Sequence, residues 1–580
     1  MWRSGSAGGR ARALVAPLVV VLALVAGCAT VPTSGPVEHH TPQATGVNSG
    51  VQVDPLPPAD GASQLLVVEG FLHAMGTYQP NYAVARQYLT AAASQVWHPE
   101  SGVQVYADGF PPTETETSVV LSVRITGKVN AAGSYSPVGN EAPPLRHDFG
   151  LTKNEAGQWR INTPPDGLLV SRYQFTTGFV AVNLHFEDPA GSVLVPDPRF
   201  FADGDQALAT ALRAQLAGPS AWLAPAVRKV DTSGVTVTGV DVDSDGTATV
   251  ELGGTASRFS ADERRVILAE LAYTASGFTR VSTIRVSVDG EAWRDDNGQA
   301  TVSPDSFGQL SATGTAPQRA LFIVKDHKVQ RLRDVTSSGE LADVDVGLVR
   351  PEKVAVNHDL SEVAATSEGG TRLQVGRVGT DKVTTPRVGT GLLRPEYARN
   401  GELWSPAAGG LRDLQVFKGD QRLKVRAGSA PVPDLPMRAL ALSPDGTRLA
   451  LIVAHGRQTQ VGLARVQRED GQVTVGGWHP LDLSLVTGNA GEALELGWVS
   501  ETELVVLQAS EEGTSVVRVS QDGATSTDIG PSETADLTRL AVAPLRPVIA
   551  LGRNGTVYRR DGEFNWNPVV ASVDSVAYSD

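Results

Sequence analysis

Apolar and polar positions divide the chain into stretches of different period. Ala13 to Gly27 is an unbroken apolar run behind Arg3, Arg10 and Arg12. It falls short of the roughly 18 residues that suggest a spanning helix and has the form of a signal peptide, residues 1–27. No later run reaches spanning length, so the rest of the chain is expected to lie outside the cytoplasm. From Ala29 to about Gly61 apolar residues thin out, and Pro32, Pro36, Pro42, Pro55, Pro57 and Pro58 interrupt the chain. Residues 28–61 therefore read as an extended, semi-rigid tether.

Periodicity then returns. Within 62–175, Val67, Phe71 and Ala74 lie on one face of a helix from Ser63 to Met75, with Gly76 as its stop. A second short helix is expected from about Asn81 to Thr90. Ser118 to Thr126 alternates as a half-buried strand, and Asp148 to Lys153 turns through Asn154–Gly157 into Gln158-Trp159-Arg160-Ile161 as a hairpin. Within 176–293, Val180, Val182, Leu184 and Phe186 alternate. Asp205 to Ala217 is helical with Leu208, Leu212 and Leu216 on one stripe, ended by Gly218-Pro219. Strands follow at Gly234 to Val242 and Thr247 to Leu252. Ser260-Ala261-Asp262-Glu263 is a capping box for a helix to Ala275, and Val281 to Val288 is a last strand.

Residues 294–317 read as a linker, low in complexity from about Asp296. Beyond it, 318–580 lacks helical periodicity. Apolar strand pairs recur at Arg319 to Val324, Lys353 to Ala365, Tyr397 to Trp404, Leu440 to Val453, Leu494 to Leu507 and Leu537 to Leu551. Most lie at the roughly 40–50-residue spacing of a four-stranded propeller blade, which suggests about six blades. Ser443-Pro444-Asp445-Gly446 and Asn554-Gly555 have the form of turns between paired strands. A pair of β-sandwiches is the alternative for this region.

Three resemblances attach to these patterns. The helices before a curved antiparallel sheet closing on Gly157-Gln-Trp-Arg-Ile161 resemble the nuclear-transport-factor-2-like (NTF2-like) cone. The strand, helix, two strands, helix, strand order of 176–293, with Leu194-Val195-Pro196 and Leu216-Ala217-Gly218-Pro219, resembles the GerMN domain of spore-germination proteins. The fold class is thus multidomain: an α+β NTF2-like cone, an α+β GerMN-like domain and an all-β propeller. Leu24-Val25-Ala26-Gly27-Cys28 resembles the lipobox of bacterial lipoproteins, which implies cleavage before Cys28 and a diacylglycerol on its thiol.

Composition narrows the chemistry. A length of 580 residues suggests three or more domains. The net charge of -14 argues against a nucleic-acid partner, because phosphate binding needs a basic field. The single cysteine rules out an internal disulfide and any Cys-rich zinc site. Asp241-Val242-Asp243-Ser244-Asp245-Gly246 matches the first half of a calcium loop, but Leu252 stands where a bidentate Glu belongs, so an acidic hairpin turn is expected. His39-His40 reads as solvated tether, and His73, Trp97 and His98 as packing or surface residues rather than pocket lining. No zinc-protease, nucleophile-elbow, Walker or dinucleotide motif occurs. The expectation is of no enzyme, no cofactor and no metal, although a glycosidase carboxylate pair is recognisable only in space.

In combination, these features and the opening Cys28-Ala-Thr-Val-Pro-Thr-Ser-Gly-Pro-Val37 resemble the actinobacterial lipoprotein LpqB family along the whole chain. The resemblance implies a cell-membrane lipoprotein anchored on the extracytoplasmic face. It further implies an accessory to the sensor histidine kinase MtrB, contacting the kinase's extracytoplasmic domain and tuning the response regulator MtrA in envelope homeostasis and cell division. Cys28 is the one functional residue that carries over. A cell-wall glycan- or peptide-binding lipoprotein and an envelope hydrolase are the other classes weighed.

Overall fold

The computed structural model describes Trp2 and residues 54–579, apart from 116–117, 140, 315–319, 334–339, 484–490, 512 and 532–535. In the first folded part, helix Gln64–Met75 is capped by Ser63, whose Oγ accepts the Leu66 N–H. It buries Val67, Val68, Phe71, Leu72 and Met75. The expected helix from Asn81 is shorter than the pattern suggested. A 3-10 turn at Pro80–Tyr82 places Asn81 and Tyr82 at positive φ, and only Ala83–Gln87 is α-helical. A further helix, Ala91–Val96, begins at the Thr90 cap.

The stretch Ser118 to Thr126 is two strands, not one. Val119–Val123 pairs with Leu145–Asp148, whereas Ile125–Asn130 pairs with Gly102–Tyr106 in a second sheet. The chain changes partners at Arg124. Val119, Leu121, Val123 and Ile125 all stay buried through this change, so side-chain alternation carries no sign of the bend. The larger sheet runs Tyr135–Pro137, Ile125–Asn130, Gly102–Tyr106, Leu168–Ser171, with the last pair parallel. Gly127 lies under Tyr135, where a Cβ would fall 2.0 Å from the phenol oxygen, so only glycine permits this approach. The hairpin pairing Leu151–Lys153 with Trp159–Ile161 forms as the sequence suggests.

A capped helix, Arg172–Gly178, leads straight into strand Phe179–Glu187. Phe175 and Phe179 pack with Tyr135 and Phe200, so one aromatic cluster spans the join. Phe179–Glu187 pairs with Leu194–Ala202, a strand the sequence pattern does not announce because it contains Pro196 and Pro198. This sheet has two strands, so the missing proline N–H groups fall on an edge. Helices Ala207–Ala217 and Ala261–Ala275 pack beside a sheet ordered Val235–Val242, Thr247–Gly254, Thr283–Val288, Glu291–Ala292. Ser260 and Glu263 form the expected capping box.

Within the stretch read as a low-complexity linker, 296–299 form an exposed turn, whereas 302–312 are packed structure. Val302 bridges Ile284, and the 3-10 segment Pro304–Leu310 buries Phe307 and Leu310 in the same core. Three isolated apolar residues suffice for this packing but produce no period in the sequence.

Beyond residue 320, the described residues form six four-stranded units, arranged as a propeller. The innermost strands Ser575–Tyr578, Lys353–Val356, Glu396–Tyr397, Met437–Leu442, Glu492–Trp498 and Leu537–Ala541 neighbour one another in a closed ring, which excludes a pair of sandwiches. The first blade is completed by the C-terminal strand Ser575–Tyr578, antiparallel to Leu321–Lys325. The third and fourth blades are fused at the rim, where Gln421–Ala427 runs parallel to Gln472–Leu481.

Candidate functional site

Cys28 and His39-His40 lie outside the described residues. His73 is exposed, and His98 is exposed with Nδ1 3.0 Å from the Glu100 carboxylate. Trp97 is buried and donates to the Gly167 carbonyl at 3.1 Å, which is packing. The acidic turn joins strands Val235–Val242 and Thr247–Gly254. Asp243 Oδ1 accepts the N–H groups of Asp245 (3.0 Å) and Thr247 (2.9 Å), so its carboxylate serves the turn itself. Millimolar calcium is therefore expected to leave the melting temperature unchanged. A rise that Asp243→Ala abolishes would reveal a true ion site.

Where the propeller meets the rest of the chain, polar side chains are buried. Arg448 has no exposed surface. Its guanidinium pairs with Asp445, donates to Gln521 Oε1 and to the Pro196 carbonyl (3.1 Å), and sits 5.4 Å from the Trp498 ring centroid. Burial pushes the Asp445 carboxyl up, but Arg448 and the Thr447 hydroxyl and N–H outweigh it and hold the group below the usual range. Nearby, Trp222 Nε1 donates to the Gly477 carbonyl at 2.6 Å, Arg465 donates back to the Trp222 carbonyl, and Gln467 reaches the Pro225 carbonyl. Arg172 donates to the Ala524 carbonyl at 2.7 Å, and Ala524 is part of the core of the first folded part.

The central channel of the propeller is narrow, with about 80 Å³ of space. Ala312 lines it, and Arg399 Nη1 donates to the carbonyls of Ser311 (2.8 Å) and Ala312 (2.9 Å). Thr313 Oγ1 adds a contact of 3.3 Å to Glu501, whose carboxyl is pushed up by burial. The chain thus clamps its own segment 311–313 onto the channel.

A larger cavity, about 600 Å³, lies beside helix Ala207–Ala217. The loop Arg228–Gly234, the start of the following strand, Phe186, Gln215 and Glu270 line it. Glu270 and Gln215 are buried on facing helices. The Gln215 amide donates to the His185 carbonyl (2.7 Å) and to Glu270 Oε2 (3.2 Å), while its oxygen accepts the His185 N–H (2.9 Å) and the Thr274 hydroxyl (2.8 Å). Glu270 Oε1 accepts the Glu187 N–H at 3.1 Å. The buried Glu187 carboxylate is gripped by Arg228 (2.8 Å) and Arg265 (3.2 Å), both of which also pair with Asp262. Burial pushes the Glu270 carboxyl up to about 8, and the Glu187 charge adds to this. Sequence reasoning missed these residues. The available signal was a glutamate inside the apolar run Val266-Ile-Leu-Ala-Glu270-Leu-Ala272 and a glutamine between Leu212 and Leu216.

Fold and sites together define a multidomain, mostly β protein with a β-propeller-like C-terminal region and buried polar seams. The family model described as "Lipoprotein LpqB, N-terminal domain" matches residues 57–176, and "Lipoprotein LpqB beta-propeller domain" matches 320–576. Between them, "Sporulation and spore germination" matches 183–293. Lipoprotein LpqB of Cutibacterium acnes is 28% identical, covering 97% of this chain and 98% of that protein. Lipoprotein LpqB of Streptomyces avermitilis is also 28% identical, covering 98% and 99%. Among solved structures, TolB from Acinetobacter baumannii aligns over 56% of this chain and 86% of its own at 12% identity, with a TM-score of 0.32 that carries no further weight. The chain belongs to the lipoprotein LpqB family.

Proposed function

We propose that this chain is a lipid-anchored extracytoplasmic lipoprotein, held through Cys28, that acts without catalysis as an accessory regulator of a sensor histidine kinase of the MtrAB type. In this reading 62–175 is an NTF2-like domain and 176–293 a GerMN-like domain. The observation that carries the proposal is the seam at Arg448. Its hydrogen bond to the Pro196 carbonyl, inside the propeller's own buried ion pair, makes the propeller and the preceding domain one body. Such a body can engage a partner over a surface larger than any one domain provides. The anchor and Pro-rich tether would keep it within reach of a kinase's outer domain, where confinement raises the effective concentration of a weak partner.

A regulator must bind two kinase states unequally, since equal affinity shifts nothing. The test is kinase reconstituted in liposomes with its outer domain accessible, with and without the full lipidated chain on that side. Autophosphorylation and phosphotransfer are expected to change by about tenfold, the effect of a differential affinity of about 1.4 kcal/mol. Unchanged rates together with no binding to the sensor domain would defeat the reading. Recovery of wall fragments from detergent-solubilised membranes would instead favour the glycan- or peptide-binding alternative.

The anchor has its own test. Cys28→Ser is expected to abolish palmitate labelling and membrane retention, because a serine hydroxyl cannot replace the thiol in lipid transfer. Equal label in variant and parent would refute lipidation at this residue.

A further inference from the structure

We propose that the cavity beside helix Ala207–Ala217 is a ligand site for a small amphipathic carboxylate, with Glu270 as the buried donor on its floor and Arg213 and Lys229 at its rim. The inference is independent of the kinase reading.

Four observations carry it. The first is size: about 600 Å³ is the volume of a small-molecule site. The second is the hydrogen-bond balance of Glu270. Its two partners among the described residues, the Glu187 N–H and the Gln215 amide, are both donors. A protonated Glu270 therefore carries an O–H for which these partners offer no acceptor, and a buried donor without an acceptor is costly because it has given up its bond to water. A ligand oxygen in the cavity would supply one. The third is rigidity. All the polar atoms of Gln215 are engaged, and Arg228 is fixed between Glu187 and Asp262, so the floor is set before a ligand arrives. The fourth is the character of the walls. Phe186, Leu216 and Val230 are apolar, whereas Arg213 and Lys229 are exposed cations at the opening. An acceptor at the bottom, apolar matter in the middle and an anion at the lip describe an acylated, carboxylate-bearing compound.

The protonation of Glu270 makes this reading testable. Burial, reinforced by Glu187, keeps the acid protonated below about pH 8. The charged and titratable groups around it are Glu187 on its strand, Arg228 on the loop, Arg265 and Asp262 on its own helix, and His185, which burial pushes down to about 3 and so keeps neutral. Arg213, Lys229 and Asp231 line the same cavity, and the Asp231 carboxylate is paired with Arg258 at 3.8 Å. Above pH 8 Glu270 loses its donor proton and repels an anionic ligand, so affinity should fall as pH rises.

The experiment titrates N-acetyl-alanyl-alanine and its C-terminal amide into the full chain in detergent, by calorimetry and ligand-observed NMR, from about pH 6.5 to 9. The acid is expected to bind at the low end, and the amide about tenfold more weakly. Affinity for the acid should drop by about tenfold across the range. Glu270→Gln, which has no proton to lose, should flatten that profile. Arg213→Ala with Lys229→Ala, both surface changes that leave the core intact, should weaken the acid at every pH. Absence of binding, equal affinity for acid and amide, or a pH profile unchanged in Glu270→Gln would each overturn the proposal.

Discussion

Asp445→Ala is expected to destabilise the propeller by about 3–5 kcal/mol, the cost of leaving a buried charge without its counter-ion. Both members of the pair have no exposed side-chain surface. After the substitution Arg448 would keep the Gln521 and Pro196 oxygens and the Trp498 face, none of which bears a charge. Denaturant unfolding followed by tryptophan fluorescence reads the effect. Because desolvation of both ions is costly, the double change Asp445→Leu with Arg448→Met should recover much of the loss. A single-variant loss below about 1 kcal/mol would mean that water reaches the pair and that the seam is weaker than its geometry.

The second large effect is a dependence of stability on pH. The Glu270 carboxyl is pushed from its ordinary value of 4.5 to about 8 in the folded chain. Between those values the folded state holds a proton that the unfolded state has released. Stability is therefore greatest below the unfolded value and falls as pH rises toward the folded one. A shift of this size corresponds to roughly 3–5 kcal/mol across the window. Glu501 and Asp522, also raised by burial, contribute slopes of the same sign, so the parent must be compared with Glu270→Gln. The variant should carry a constant offset, since its amide donor faces the Gln215 amide, but should lose Glu270's share of the slope. Parallel curves for parent and variant would show that Glu270 ionises normally.

What could be read from the sequence followed the range of the interactions involved. Helix Gln64–Met75 and helix Ala261–Ala275 are set by caps within three residues of their starts, at Ser63 and at Ser260 with Glu263, and both stand where the pattern places them. The turn at Ser443–Gly446 was equally plain, because strands Met437–Leu442 and Arg448–His455 flank it closely. The role of Arg448 within that hairpin was not. Its Pro196 partner is 252 positions away, and such a contact leaves no trace in a local period. Leu194–Ala202 was hidden for the opposite reason, since two prolines argue against a strand unless its edge position is known. The cavity was hidden because Glu187, Gln215 and Glu270 lie on three separate elements, so their approach exists only in space.

The closing strand of the ring has a consequence for how the protein is made. Leu321–Lys325 cannot gain its inner neighbour until Ser575–Tyr578 has been synthesised. Until then Leu321 and Ile323, fully buried in the finished ring, stand on an open strand edge of the kind that invites pairing with another chain. The two preceding folded parts can mature while the propeller is still incomplete, as domains generally fold in order of synthesis. Closure itself adds little to the thermodynamic cost, because loop entropy grows only with the logarithm of length. The hazard is one of time: aggregation threatens the chain most in the interval between the arrival of its first blade strand and its last.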